Sequence, residues 1–210
     1  MKKIVVFLSG QGSNFISIYN SILENQVPAK IDLVVSNNMQ AKGIKFAKEN
    51  GINTAVIESY NQNYKGIKNI EQEILSHLSP IGPDLIILAG FLKKIPTSIV
   101  EKYNRKIINI HPSLLPSFGG KGFYGMKVHE AVIKAKVKIT GATVHFVDKD
   151  YDTGQIIAQE CILVDNFDDA TSIAKRVLEI EHRLFPFVVN SICNDLLDWN
   201  GDTPIILGEK

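Results

Sequence analysis

Five short apolar runs, separated by stretches of helical spacing, constrain this chain more than any other feature. They are KIVVFLS (3–9), IDLVVSN (31–37), TAVIE (54–58), PDLIILAG (83–90) and RKIINI (105–110). Continuous apolar runs of this length read as strands covered on both faces, the habit of parallel sheets. PDLIILAG is the most apolar and is placed at the sheet centre. Between the runs, Ser13 to Glu24 carries Phe15, Ile18, Ile22 and Leu23 near helical spacing. Ala41 to Asn50 reads as a helix closed by Gly51. A further helix is expected from near Asn63 to Leu78, with Pro80 and Pro83 beyond its end, and a short one from Pro96 to Tyr103. This βαβα order predicts a doubly wound, mostly parallel sheet with right-handed crossovers, Rossmann-like, in three αβα layers.

The pattern changes after Gly125. Met126 to Ala135 reads as a helix. KITGATVHFVD (138–148) and GQIIAQECILV (154–164) read as a C-terminal antiparallel strand pair added to the sheet. Asp168 to about Cys193 reads as a long helix with Ile173, Val177, Ile180 and Leu184 inward, and Pro186 is expected to kink or split it. The tail from Asn194 is loosely patterned. No linker, repeat or low-complexity segment interrupts residues 1–210, so one domain is expected.

Composition then removes whole classes of function. The chain is 45% hydrophobic and 21% charged, values of a globular protein. A net charge of +1 leaves no electrostatic footprint for nucleic acid or an anionic membrane, so the partners expected are small molecules. Cys161 and Cys193 have no metal or redox spacing and read as reduced, partly buried thiols. The apolar run near the start, Ile4 to Leu8, reads as a first strand and not as a secretory leader, which makes the cytoplasm the default compartment. No run approaches the ~20 apolar residues that span a bilayer.

The turn SGQGSN (9–14) joins the first strand to the first helix. Its glycines admit close backbone approach, and a helix N-terminus offers free N–H groups to an anion. A dinucleotide fingerprint is disfavoured, because Phe15 stands where the third glycine belongs and VVSNN carries no carboxylate for a ribose. No Lys-Ser/Thr pair makes it a Walker loop. A monophosphate fits, as does a plain βα turn capped by Ser13 or Asn14 with no ligand.

INIHPSLLP puts Asn109 and His111 at the carboxyl end of a strand, where ligands collect in parallel sheets. Two apart, they point the same way. Pro112 and Pro116 restrict the loop beyond His111 and hold the imidazole in place. An amide beside an imidazole suits a carbonyl that becomes an oxyanion: both can donate, and a charged imidazole can supply a proton. A carboxylate nearby would favour the charged ring. Asp148, Asp150 and Asp152 of DKDYDTG are candidates, although the same loop fits a solvated hairpin turn. His145, alternating with apolar residues in TVHFV, reads as buried or supporting. His77, His129 and His182 read as helix-surface or packing residues. No pair has metal spacing, and no metal is expected.

SGQGSN, LAGFLKKI, NIHPSLLP and GATVHFVDKDYDTGQIIAQ occur in this order over about residues 1–190. On these motifs the chain resembles the phosphoribosylglycinamide formyltransferases, among the formyltransferases and hydrolases that use 10-formyltetrahydrofolate. The resemblance implies the formyltransferase-type fold and attack of the glycinamide ribonucleotide amine on the formyl carbon, in purine biosynthesis. It implies that Asn109 steadies the oxyanion, and that His111, kept protonated by Asp152, polarises the formyl oxygen and donates a proton. Gly12, Ser13 and Asn14 would hold the phosphate, and Glu181 in EIEHRLFP the ribose or glycinamide part. Leu92, Lys93, Lys94 and Ile95, with Asn109 and the backbone near 147–152, would form the folate cleft. 10-Formyltetrahydrofolate would be the co-substrate, and the protein a monomer or weak homodimer.

Lys93 stands where many relatives have arginine. Leu178 replaces a polar residue three before Glu181, and Lys175 is the lysine near it. No folate-tail arginine is evident; Lys65 or Lys68 is the candidate replacement. The glycine-rich loop 117–125 is expected to be mobile, with Lys121 reaching a phosphate or a glutamate tail. The rivals are a formyltetrahydrofolate hydrolase, expected to carry an extra N-terminal regulatory domain, and a nucleotide-binding module without catalysis. Methionyl-tRNA formyltransferase would need a further domain and a basic surface. An NAD-dependent reductase is disfavoured by VVSNN.

Overall fold

The computed structural model describes residues 1–60 and 69–208. Seven strands form one mostly parallel sheet in the order β3-β2-β1-β4-β5-β6-β7, and two more form a separate pair, β8-β9. The chain divides into two compact units, Met1–Ile108 and Asn109–Lys210.

In the first unit, β1 (Lys2–Leu8) pairs in parallel with β2 (Ala29–Ser36) on one side and β4 (Leu85–Leu88) on the other. β2 in turn pairs in parallel with β3 (Thr54–Val56). Ile4, Val5, Val6, Phe7 and Leu8 are all buried, so β1 has no wet face, as its unbroken apolar run requires. Each such side chain contributes roughly 1.5–3 kcal/mol by leaving water. Helix α1 (Ser13–Leu23) turns Phe15 and Ile18 inward, and Phe15 meets Phe46 of α2 (Lys42–Glu49) edge-on at 5.6 Å. Helix α2 ends as its residues suggest: Gly51 adopts φ +70° and its N–H closes on the Lys48 carbonyl.

Helix α3 (Ile70–Leu78) begins later than the helix expected from near Asn63. Asn69 is extended, and its side chain accepts the Glu71 N–H at 3.1 Å, which is a helix start. A one-turn 3₁₀ segment, Glu58–Tyr60, follows β3. Buried Glu73 of α3 receives the N–H groups of Glu58 and Ser59 at 3.2 and 3.0 Å. Helix α4 spans Thr97–Lys102. β5 (Ile107–His111) starts two residues later than expected, because Arg105 turns at φ +58°, and it ends on His111 itself.

In the second unit, β6 (Ile139–Phe146) and β7 (Ile156–Leu163) are antiparallel, as expected. Helices α5 (Met126–Ala135) and α6 (Ala170–Cys193) pack on each other, and α6 also packs on both strands. Asp169 caps α6 in a reciprocal pair with Ser172, so the helix starts after Asp168. Pro186 does not split it. The loosely patterned tail is a hairpin, β8 (Leu197–Asn200) and β9 (Thr203–Ile206), turned at Gly201-Asp202. Gly201-Asp202, a two-residue loop with glycine first, is a turn signal in plain view. Trp199 of this hairpin stacks on Phe146, centroids 5.3 Å apart and planes 26° apart. No disulfide joins the cysteines, and Cys161 is exposed where partial burial was expected. Among the described residues, no helix is long and apolar enough to cross a membrane.

Candidate active site

Asn109 and His111 lie two apart in β5 and share a face. The chain after them is held by more than its prolines. Buried Thr143 donates its hydroxyl to the Ser113 carbonyl at 2.6 Å and accepts the Leu115 N–H at 3.0 Å. Gln159 donates to the Leu115 carbonyl at 3.0 Å, and Ser113 donates to the Ser117 carbonyl at 2.6 Å. These bonds deliver Phe118, in a left-handed conformation at φ +55°, to the His111 ring.

His111 is almost fully buried, and its two ring nitrogens have different neighbours. Nε2 lies 2.8 Å from the Phe118 carbonyl oxygen. A carbonyl only accepts, so Nε2 carries a proton. Nδ1 faces Asp152 Oδ2 at 3.6 Å, an ion-pair separation too long for a direct hydrogen bond. Asp152 Oδ2 also accepts the Gly120 N–H at 2.8 Å. Asp152 itself sits at φ +58°, a conformation that aims its carboxylate back over β6.

The fourth member is His145, whose alternation with apolar residues marks it only as buried or supporting. The β6–β7 register shifts between Val144 and His145, where Ile157 of β7 is left without a partner. Its Nδ1 lies 2.7 Å from the Phe146 carbonyl, so Nδ1 holds the proton. Its Nε2, 3.1 Å from Asn109 Nδ2, is then the acceptor of a neutral ring. Burial is the main force that lowers the His145 pKa; the His111 charge adds to it, while the Phe146 bond and Asp152, 3.7 Å from Nε2, oppose it. A neutral His145 fixes which end of the Asn109 amide is the donor. One Nδ2 hydrogen is committed to His145 and the other remains for a ligand.

Gly154 completes this arrangement through absence of a side chain. A Cβ there would overlap the Phe146 carbonyl oxygen and stand 2.7 Å from its carbon. That same oxygen anchors His145. The glycine of the DTG motif is therefore demanded by space.

The first unit carries the predicted phosphate turn and the segment after β4, while Glu181 and Lys121 lie in the second. The turn before α1 has Gly12 at φ +77°, and Gly12, not Ser13 or Asn14, is the helix cap, with no side-chain hydrogen bond. The side-chain cap expected from Ser13 or Asn14 is thus replaced by a left-handed glycine. A Cβ at Gly12 would come within 2.9 Å of the Gly43 backbone, so the turn tolerates only glycine there. In the segment after β4, Ile95 is buried and Leu92 is 55% exposed, with Lys93 half-buried and Lys94 exposed. The Leu92 N–H donates to Ser9 Oγ at 2.9 Å, and the Tyr60 hydroxyl donates to the Lys94 carbonyl at 2.6 Å. Glu181 is buried on α6. Lys121 is exposed in the loop after His111. Lys65 and Lys68 lie outside the described residues. Among the described residues, no three His, Cys, Asp or Glu side chains are grouped to hold a metal ion.

The sequence profile of one family, described as formyl transferase, matches residues 2–189. The chain belongs to the formyl transferase family. Within it, the chain is 41% identical over 206 residues to a chloroplastic phosphoribosylglycinamide formyltransferase of Vigna unguiculata, covering 98% of this chain and 65% of that protein. It is 38% identical to the phosphoribosylglycinamide formyltransferase of Bacillus subtilis, covering 91% of this chain and 95% of that one. The crystal structure of phosphoribosylglycinamide formyltransferase from Anaplasma phagocytophilum superposes with a TM-score of 0.87 at 35% identity, covering 99% and 94% of the two chains. The family's shared fold accounts for the sheet order and for the antiparallel β6–β7 pair.

Three buried or half-buried histidines make the fold sensitive to acid. Burial lowers the pKa of His129, His145 and His182 below the ordinary imidazole value of 6.5. The unfolded chain then takes up protons first as pH falls, so stability declines from about the ordinary imidazole pKa down to the depressed folded values. Calorimetry should show a lower Tm at pH 5.5 than at pH 7.5. An unchanged or higher Tm at pH 5.5 would show that these rings ionise freely in the folded protein.

Proposed function

We propose that this protein transfers the formyl group of 10-formyltetrahydrofolate to the amine of 5′-phosphoribosylglycinamide, giving formylglycinamide ribonucleotide in purine biosynthesis. The observation that carries this reading is the proton pattern of the Asn109, His111, Asp152 and His145 cluster. Two donor positions are left over from internal bonding: the second Nδ2 hydrogen of Asn109 and Nδ1 of His111, which faces the Asp152 carboxylate. Both suit a formyl oxygen that gains negative charge as the amine adds to its carbon.

An imidazole protonated only at Nε2 would turn its Nδ1 lone pair towards the Asp152 carboxylate. A proton on Nδ1 removes that repulsion and stands ready for the substrate. The 3.6 Å separation leaves Nδ1 unclaimed by a short internal bond. The new bond joins the glycinamide nitrogen to the formyl carbon, and the bond to N10 of the folate breaks. The amine's surplus proton balances the one N10 takes up, so no net acid or base is consumed. His111 and Asp152 are the groups that hold and pass it.

In this reading Gly12, Ser13 and Asn14 bind the phosphate through the uncapped start of α1, where the helix dipole favours an anion. Glu181 binds the ribose or glycinamide portion. Leu92, Lys93, Lys94 and Ile95 bind the folate, Asn109 holds its formyl oxygen, and Lys65 and Lys121 are the cations assigned to the folate tail or a phosphate. The enzyme acts as one domain over residues 1–210, in the cytoplasm, as a monomer or weak homodimer.

The test monitors deformylation of 10-formyl-5,8-dideazafolate by absorbance, with and without glycinamide ribonucleotide. Turnover that requires the ribonucleotide supports the transferase. Equal turnover without it would identify a hydrolase, and none in either case would leave a binding module.

A further inference from the structure

Ser9 ties three strand ends of the first unit to one another. It follows the last residue of β1 and precedes Gly10 of the turn. Its backbone N–H donates to the Gly90 carbonyl at 3.0 Å. Its Oγ accepts the Leu92 N–H at 2.9 Å and donates to Asn37 Oδ1 at 2.6 Å. The directions are forced: a backbone N–H only donates, so the single hydroxyl proton goes to Asn37. Asn37 follows β2, and Gly90 and Leu92 follow β4. The three strands are neighbours in the order β2-β1-β4, where the strand sequence reverses direction and where ligands gather in such sheets.

Both sides of Ser9 are stiff. The turn after it is pinned by the Gly43 N–H on the Gly10 carbonyl at 3.2 Å and by the close approach of Gly12 to Gly43. The segment Gly90–Lys94 is pinned at its far end by the Tyr60 hydroxyl on the Lys94 carbonyl. Tyr60 stands edge-on to Phe91 at 5.7 Å, and Phe91 edge-on to Phe7 of β1 at 5.3 Å. Ser9 is the hydrogen-bonded link between these two held segments.

We propose that Ser9 is a positioning residue that couples the phosphate turn to the folate segment, so that either substrate raises the affinity for the other. This rests on the function proposed above. A phosphate drawn onto Gly12–Asn14 shifts Gly10 and Ser9 with it, and because the link is stiff, Ser9 Oγ carries the Leu92 N–H along. The second ligand then meets the segment in the placement that the first ligand favours, and binds it more tightly. Reciprocity requires the same factor in the other direction.

The test is a set of calorimetric titrations. Glycinamide ribonucleotide is titrated into the protein alone and with saturating 5,8-dideazafolate, which has no formyl group to transfer, and the order is then reversed. The wild type is expected to show a mutual gain in affinity of about fivefold or more, the lower range of typical coupling. Ser9→Ala should still bind each ligand alone while the gain falls to within about twofold of none, because the Leu92 N–H and the Asn37 amide lose their shared partner. Ser9→Thr keeps the hydroxyl and should keep the gain. Asn37→Ala, which leaves the Leu92 bond in place but frees the hydroxyl to rotate, should reduce it, and serves if Ser9→Ala does not fold.

No gain in the wild type, or a full gain in Ser9→Ala or Asn37→Ala, would overturn the proposal with the function intact. Failure of the wild type to bind either ligand would overturn the function, and this coupling with it.

Discussion

Asp152→Asn is expected to keep its fold and lose about 100-fold or more in kcat, the usual cost of removing the group behind an oxyanion donor. The substitution is nearly isosteric, and the amide oxygen can still accept the Gly120 N–H that Asp152 Oδ2 accepts at 2.8 Å. What changes is the reason for a proton on His111 Nδ1. Nε2 keeps its proton because the Phe118 carbonyl demands one. With a neutral amide oxygen held opposite Nδ1 by the Gly120 N–H, the full negative charge that favours a proton there is gone. The charged donor disappears although every heavy atom remains near its place. Steady-state kinetics with both substrates, beside a circular dichroism spectrum and Tm, would show it. A kcat within tenfold of wild type in a folded variant would mean that Asp152 does not hold the donor's proton.

Gly154→Ala should have an effect of comparable size by another route. The added Cβ overlaps the Phe146 carbonyl oxygen, and both lie on backbone that cannot yield as a flexible side chain can. Either the strand moves or the carbonyl rotates, and each breaks the bond to His145 Nδ1 at 2.7 Å. His145 then no longer presents a fixed lone pair to Asn109, and the oxyanion donor loses its orientation. Overpacking of this kind costs about 1–3 kcal/mol in stability, and a misplaced oxyanion donor about 100-fold in kcat. The informative result is a variant whose Tm falls by a few degrees while kcat falls far more than KM rises. A kcat near wild type would show that the His145–Asn109 pair does not need the Phe146 carbonyl.

Between them these variants divide the site into the group that carries charge and the frame that aims it. The frame is mostly backbone. The Phe118 and Phe146 carbonyls and the Gly120 N–H fix both rings and the carboxylate, and no side-chain pattern announces any of the three. The coupling proposed for Ser9 extends the same logic to the first unit, where one hydroxyl joins the turn at Gly10–Asn14 to the segment at Leu92–Lys94.

The amino-acid sequence alone determined which runs become strands covered on both faces, because burying Ile4 to Leu8 on every side needs no knowledge of the partner strands. It also marked Asn109 and His111, because the types of side chain that stabilise an oxyanion are few and stand out beside apolar strands; for the carboxylate it left Asp148, Asp150 and Asp152 open, and only the family resemblance favoured Asp152. It misplaced the start of α3, where one Asn69 side-chain bond outweighed helical spacing, and passed over the β8–β9 hairpin although Gly201-Asp202 marked its turn. Only the tertiary structure decided which nitrogen of each histidine holds the proton and why residue 154 is glycine. Those answers depend on the Phe118 and Phe146 carbonyl oxygens, and every residue type carries the same carbonyl, so no residue letter records where one will point.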